Sequence, residues 1–210
     1  MKSPVQWRSL EEELGPVAGH FQGAVLNAGC GDRDITGFLL AHGAASVDNC
    51  DRETGLPGAI ICDLIRIPRG DEAYDAIILN AVLEHVPDPD LVIIELKRLL
   101  KSRGRLIVTA PFLQPYHRDP EDYRRYTRAG LEELGKRHGL LTLEINSVHT
   151  LAQSITWIIW SALNERGGKP GLLGRLLLWV PFYAWNRLSL NARTRLQNNA
   201  CALQAVYQKP

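Results

Sequence analysis

Six short, mostly apolar runs recur along this chain, at residues 24–26, 45–47, 59–62, 74–79, 105–109 and 140–145, and helical patterns alternate with them. Runs this short read as strands buried on both faces. Between them, 35–42 reads as a helix ended by Gly43. A second opens at Asp88-Pro89 and repeats Val92, Leu96, Leu99 and Leu100 on one face, with Gly104 beyond it. A third is capped by Thr127, buries Leu131 and Leu134, and stops at Gly139. Strand–helix alternation demands crossover connections and a mostly parallel sheet covered on both sides. Ahead of it, 3–14 reads as a helix capped by Ser3, with Leu10 and Leu14 on one face and Gly15-Pro16 ending it.

Composition narrows the class without naming a function. The 210 residues carry 24 Lys plus Arg against 23 Asp plus Glu, a net charge of +1, so binding nucleic acid through bulk charge is not expected. The four cysteines, Cys30, Cys50, Cys62 and Cys201, form no Cys-x-x-Cys pair and have no histidine at a zinc-like offset, so they read as reduced thiols and no metal site is expected. The N-terminus is amphipathic and acidic, without a signal-peptide core, and a cytoplasmic location is expected.

A sheet of this class binds ligands beyond the C-terminal ends of its strands. The unusual residues fall there. The first strand runs into Gly29-Cys30-Gly31, where missing side chains let the backbone turn and approach a ligand. Asp48 follows the second strand and suits a ribose diol, with Asp51 competing for the role. Asp63 and Leu64 follow the third strand, where a carboxylate can accept from an adenine amino group, and Asn80 follows the fourth. A nicotinamide site would want a third glycine where Asp34 stands, which counts against an oxidoreductase.

Three stretches, 25–32, 74–86 (YDAIILNAVLEHV) and 88–112, resemble the class I S-adenosylmethionine-dependent methyltransferases, in particular the type 11 group. The resemblance covers about residues 20–145, plus 201–209 as a last strand. It implies a Rossmann-like, doubly wound sheet of seven strands, mostly parallel, with the last strand antiparallel. It also implies S-adenosylmethionine as cofactor, with Gly29 and Gly31 near the amino-acid portion, Asp48 on the ribose, Asp63 on the adenine and Asn80 near the methionine part. Asn27 stands where the family usually carries an acid for the cofactor's ammonium group, and Arg33 where many members have a third glycine. The interval 51–58 is too short for a full helix, which leaves the adenine side open.

Methyl transfer from a sulfonium is an in-line displacement, so the protein mainly aligns the nucleophile, and a base matters when the acceptor is a hydroxyl or protonated amine. His117 and His85 are the candidate bases, with Tyr123 next. His117 lies in a polar loop with Tyr116, Asp119, Asp122, Tyr123, Arg124 and Tyr126, a segment that also recurs in the resembled family. The same residues could instead brace the loop, and Glu84-His85 could simply fix a helix start. A non-catalytic module that binds the cofactor is the alternative to an enzyme.

Residues 147–199 form an apolar helical insert before the last strand, within one domain spanning 1–210. It holds Trp157, Trp160, Trp179 and Trp185, punctuated by Lys169, Arg175, Arg187, Arg193 and Arg195. It lacks the about 18 uninterrupted apolar residues of a spanning helix. Two helices in a membrane interface, a substrate lid and a dimer surface all fit it, so the acceptor is expected to be a small molecule or lipid-linked.

Overall fold

The computed structural model describes residues 2–118, 120–191 and 199–210. Seven strands form one sheet in the order β3-β2-β1-β4-β5-β7-β6. They are β1 (Gly23–Ala28), β2 (Ala44–Asp51), β3 (Ile60–Ile61), β4 (Tyr74–Asn80), β5 (Leu100–Pro111), β6 (Leu141–Val148) and β7 (Ala202–Gln208). β1 pairs in parallel with β2 and β4, and β4 with β5. β7 runs antiparallel to both its neighbours, β5 and β6. The expected Rossmann-like architecture with an antiparallel last strand is therefore present.

The sheet separates two cores. On one side Leu14, Val17, Phe21, Ile35 and Leu39 pack on Val25, Ile78 and Ile107, brought there by α1 (Leu10–Leu14), the 3-10 turn Gly15–His20 and α2 (Thr36–Ala41). On the other, α3 (Pro89–Leu99) and α4 (Arg128–Arg137) cover Leu26, Ile77, Leu79, Leu106 and Val108. Asp88 caps α3, accepting from the Asp90 N–H at 3.0 Å, and Thr127 caps α4, accepting from Gly130. Val92, Ile93, Leu96 and Leu99 of α3 are buried, each stabilising by about 1.5–3 kcal/mol.

Three boundaries differ from the sequence reading. Residues 3–8 are not helical: Ser9, not Ser3, caps α1 with a capping box. The segment before it instead lies along α5 (Leu151–Arg166), where Trp7 packs edge-on against Trp157 at 5.0 Å and the Gln6 carbonyl accepts from Gln153. Leu100 and Gly104 belong to β5, not to α3 and its end. β2 continues to Asp51, so Asp48 lies inside a strand.

Between β6 and β7, α5 is followed by α6 (Gly168–Asn191), the chain turning at Gly167 with φ 57°. Asn186 of α6 donates to Thr156 of α5 at 2.8 Å, and Phe182 is buried. Outward, α6 exposes Leu172, Leu173, Leu176, Leu177, Val180 and Leu188. No helix among the described residues is long and apolar enough to cross a membrane. Asp119, Arg193 and Arg195 lie outside the described residues.

Candidate active site

Two groups of residues gather beyond the C-terminal ends of the parallel strands. The first is built on the tips of β1, β2, β3 and β4. Gly29 turns the chain at φ 68°, and its N–H donates to the Cys50 carbonyl at 2.8 Å. A β-carbon there would stand 2.5 Å from Val82, so the position is closed to side chains. Gly31, at φ 51°, differs: its missing β-carbon would meet nothing within 4 Å. Its N–H donates to Asp51 Oδ2 at 2.8 Å, and Thr54 donates to its carbonyl at 2.6 Å. The loop after β2 thus holds the glycine turn with its open face outward.

Asp51, not Asp48, stands at the end of β2. Asp48 accepts from the Tyr74 hydroxyl at 2.6 Å and pairs with Arg69 at 3.0 Å, committing it to a contact within the fold. Asp63 follows β3 and is half-exposed, its Oδ1 accepting from the Ile65 N–H. Leu64 points into the core instead, leaving its backbone alone to face a ligand. Asn27 is buried in β1, donating to Asn49 at 2.9 Å, and Asn49 in turn donates to Thr36. Asn80 ends β4, and its Oδ1 is buried without a hydrogen-bond partner. Ala81 follows at φ 55°, a conformation L-residues disfavour by about 1–2 kcal/mol. Residues 52–59 form no helix, as their shortness implies.

The second group comes from the loops after β4 and β5. A short 3-10 turn, Leu83–His85, carries Glu84 and His85. Glu84 is 1% exposed, Oε2 has no partner, and burial pushes its pKa up from the ordinary carboxylate range. His117 sits opposite, its ring 5.3 Å from that of His85 and 5.4 Å from Trp157. Asp122 anchors this loop: it accepts from the His117 N–H at 2.8 Å and from Arg125 at 2.6 Å. The Arg125 guanidinium holds the Asp122 carboxyl down at about 2. The His117 ring also contacts the loop, its Nδ1 3.1 Å from the Pro115 carbonyl oxygen, so bracing involves Asp122, Arg125 and one ring nitrogen of His117. Tyr123 is half-exposed; its N–H donates to the Glu84 carbonyl, and Arg124 lies 6.0 Å over its ring. Sequence reasoning flagged both histidines but not their convergence with Glu84, because that depends on two loops meeting. The signal available was that both loops follow adjacent parallel strands.

Residues 13–108 match the family described as a methyltransferase domain. Over that stretch the chain is similar to methyltransferase domains. Methyltransferase GfsG of Streptomyces halstedii is 29% identical over 115 residues, which span 47% of this chain and 40% of that protein's length. Among solved structures, a Burkholderia thailandensis 1,6-didemethyltoxoflavin-N1-methyltransferase, crystallised with 1,6-didemethyltoxoflavin and S-adenosylhomocysteine, superposes with a TM-score of 0.61. It is 16% identical, covering 96% of this chain and 77% of its own. Phosphoethanolamine N-methyltransferase 2 of Haemonchus contortus, in complex with S-adenosyl-L-methionine, gives 0.57 at 14% identity, covering 96% and 53%. At these identities the structures establish that the chain shares their fold.

Proposed function

We infer that the protein transfers a methyl group from S-adenosylmethionine to a small-molecule acceptor. The observation that carries this is the set of strand tips: Gly31 open to a ligand, Asn80 Oδ1 buried and unpartnered, Asp51 and Asp63 on neighbouring tips. A buried acceptor without a donor costs about 1–3 kcal/mol, which a bound ligand's N–H or O–H offsets. In this reading Gly29 and Gly31 admit the cofactor's amino-acid portion, Asp51 takes the ribose hydroxyls, Asp63 the adenine amino group, and Asn80 the methionine part. When bound, S-adenosylmethionine supplies an activated methyl on a sulfonium, so the chain's own task is alignment and removal of the acceptor's proton.

His117 and His85 line the acceptor end, and a positioned base contributes roughly 10²–10⁴ in rate. His117→Ala is expected to lower turnover by about that range with cofactor affinity unchanged. Calorimetric titration with S-adenosylmethionine, followed by a search for methylated product, tests the whole reading. Binding without any product would favour the non-catalytic module.

A lipid-linked acceptor at a membrane surface is the finer reading that α6 favours. Its exposed leucines and Val180 are flanked by Arg175 and Arg187, the pattern of a helix lying in an interface. Flotation with anionic liposomes should carry the protein upward. Protein left at the bottom with every lipid mixture would leave the lid or dimer roles for this helix.

A further inference from the structure

We propose that Glu84, His85 and His117 form a binding site for a divalent first-row transition metal ion. One donor atom from each lies within 4.8 Å of the other two. Tetrahedral ligands of one ion, each about 2.0–2.2 Å from it, stand about 3.3–3.6 Å apart, so closing the set draws the donor atoms together by about an ångström.

The tautomers are fixed by neighbours that can only accept. His85 Nδ1 is 2.6 Å from the Glu121 carbonyl oxygen. The proton must therefore sit on Nδ1, leaving the Nε2 lone pair free, 3.8 Å from Glu84 Oε1. His117 Nδ1 faces the Pro115 carbonyl at 3.1 Å and the Asp122 carboxylate at 3.6 Å. Arg125 Nη2 lies 3.4 Å from the same nitrogen, but it donates to Pro115 O at 2.7 Å and Asp122 Oδ2 at 2.6 Å. His117 Nε2 is therefore the free acceptor too. Metal-bound imidazoles characteristically hold their other N–H on a carbonyl or carboxylate. Both histidines already do.

Glu84 supplies the independent observation. Its side chain is almost wholly buried, and Oε2 has no hydrogen-bond partner. A buried carboxylate oxygen without a donor is stabilised by a cation. Two neutral imidazoles and one carboxylate, from two loops, form the donor set of zinc and non-haem iron sites and leave coordination positions open. Those positions suit water or an acceptor's oxygen. That last assignment rests on the methyl-transfer reading, whereas the ion's presence does not. With an ion bound, His85 and His117 would be ligands rather than bases, and the ion would supply a water acidic enough to take over proton transfer in their place.

The test uses the full-length protein with any histidine tag removed, stripped by a chelator and titrated with Zn²⁺ by calorimetry and Co²⁺ by visible absorption. We expect one ion per chain and a rise in melting temperature on loading. His85→Ala and His117→Ala should each weaken binding at least tenfold, as should Glu84→Gln, while Cys62→Ser leaves it unchanged. If Glu84→Gln fails to fold, the two histidine variants decide. Absence of binding below about 1 mM Zn²⁺, a free energy near 4 kcal/mol, overturns the site. So does binding that survives in both histidine variants, or that falls with Cys62→Ser. None of these readouts uses cofactor or acceptor, so the result is separate from the fate of the methyl-transfer reading.

Discussion

The proposed cofactor end and the proposed acceptor end lie on the same edge of one sheet, yet they are built from different materials. At the tips of β1 and β2 the shape is set by backbone: two glycines at positive φ, Gly29 N–H on the Cys50 carbonyl, and short side chains closing the turn. At the loops after β4 and β5 it is set by long polar side chains, Asp122 paired with Arg125 and Glu84 beside His85. The first end is held by hydrogen bonds that a strand ladder enforces. The second is held by the Asp122–Arg125 ion pair and its hydrogen bonds to the loop backbone. One end should thus resist changes of charge and fail on changes of volume. The other should do the reverse.

The largest test falls on the acceptor end. Arg125→Met keeps volume but leaves Asp122, 1% exposed, without its cation. Removing one partner of a buried pair costs about 3 kcal/mol or more. Urea unfolding should show that loss while affinity for S-adenosylmethionine holds. A loss under about 1 kcal/mol would mean that the loop does not depend on the pair. Volume is the corresponding weakness of the cofactor end. Gly29→Ala places a β-carbon 2.5 Å from Val82 at φ 68°, for an expected loss of about 2 kcal/mol. Gly31→Ala has open space but must take φ 51°, so it should cost about 1–2 kcal/mol of stability without the clash at Gly29, and calorimetry should find a further loss in cofactor affinity.

A charge change on the cofactor end should cost less. Asp51→Asn is expected to weaken S-adenosylmethionine binding by about tenfold, or 1.4 kcal/mol, with Asp48→Asn within threefold of wild type. Equal effects would return Asp48 to the site. The smallest effect concerns Glu95, which accepts from Ile67 N–H after β3 and pairs with Arg98. The Arg98 hydrogen bonds lower its pKa below the usual 4.5. A depressed folded value gives stability present above pH 4.5 and lost as pH falls through the folded pKa. The difference between wild type and Glu95→Gln should shrink on acidification from pH 6, by less than about 1 kcal/mol, in denaturation curves. A gap that widens instead would place the pair's effect elsewhere.

The same division explains what was legible in the sequence. Runs such as 74–79, and caps such as Asp88 and Thr127, announce their elements because pattern and local chemistry agree. Glycine turns and strand-tip acids are local as well, so the sequence could flag Asp48 and Asp51, three residues apart, as competing for one role. Asp48 was favoured over Asp51 because the run 45–47 understates β2, which continues through polar residues to Asp51. Helix at 3–8 failed because Trp7 finds Trp157 on α5, a contact no local pattern contains. Both acceptor-end histidines could be flagged, but the meeting of Glu84 with His117 is a tertiary fact.

β7 enters the sheet between β5 and β6, and among the described residues it is the only strand partner of β6. β6 therefore reaches the sheet only through β7. The two are joined as an antiparallel pair in which Val148 faces Ala202, with the span between them leaving the sheet at those two ends. The sheet specifies only those two ends. Because the entropy of closing a loop grows slowly with its length, the span between them can lengthen, shorten or change partner at little thermodynamic cost. Beyond α5, whose Trp157 packs against His117, the helical excursion is therefore the part of this chain freest to diverge without disturbing the strand tips.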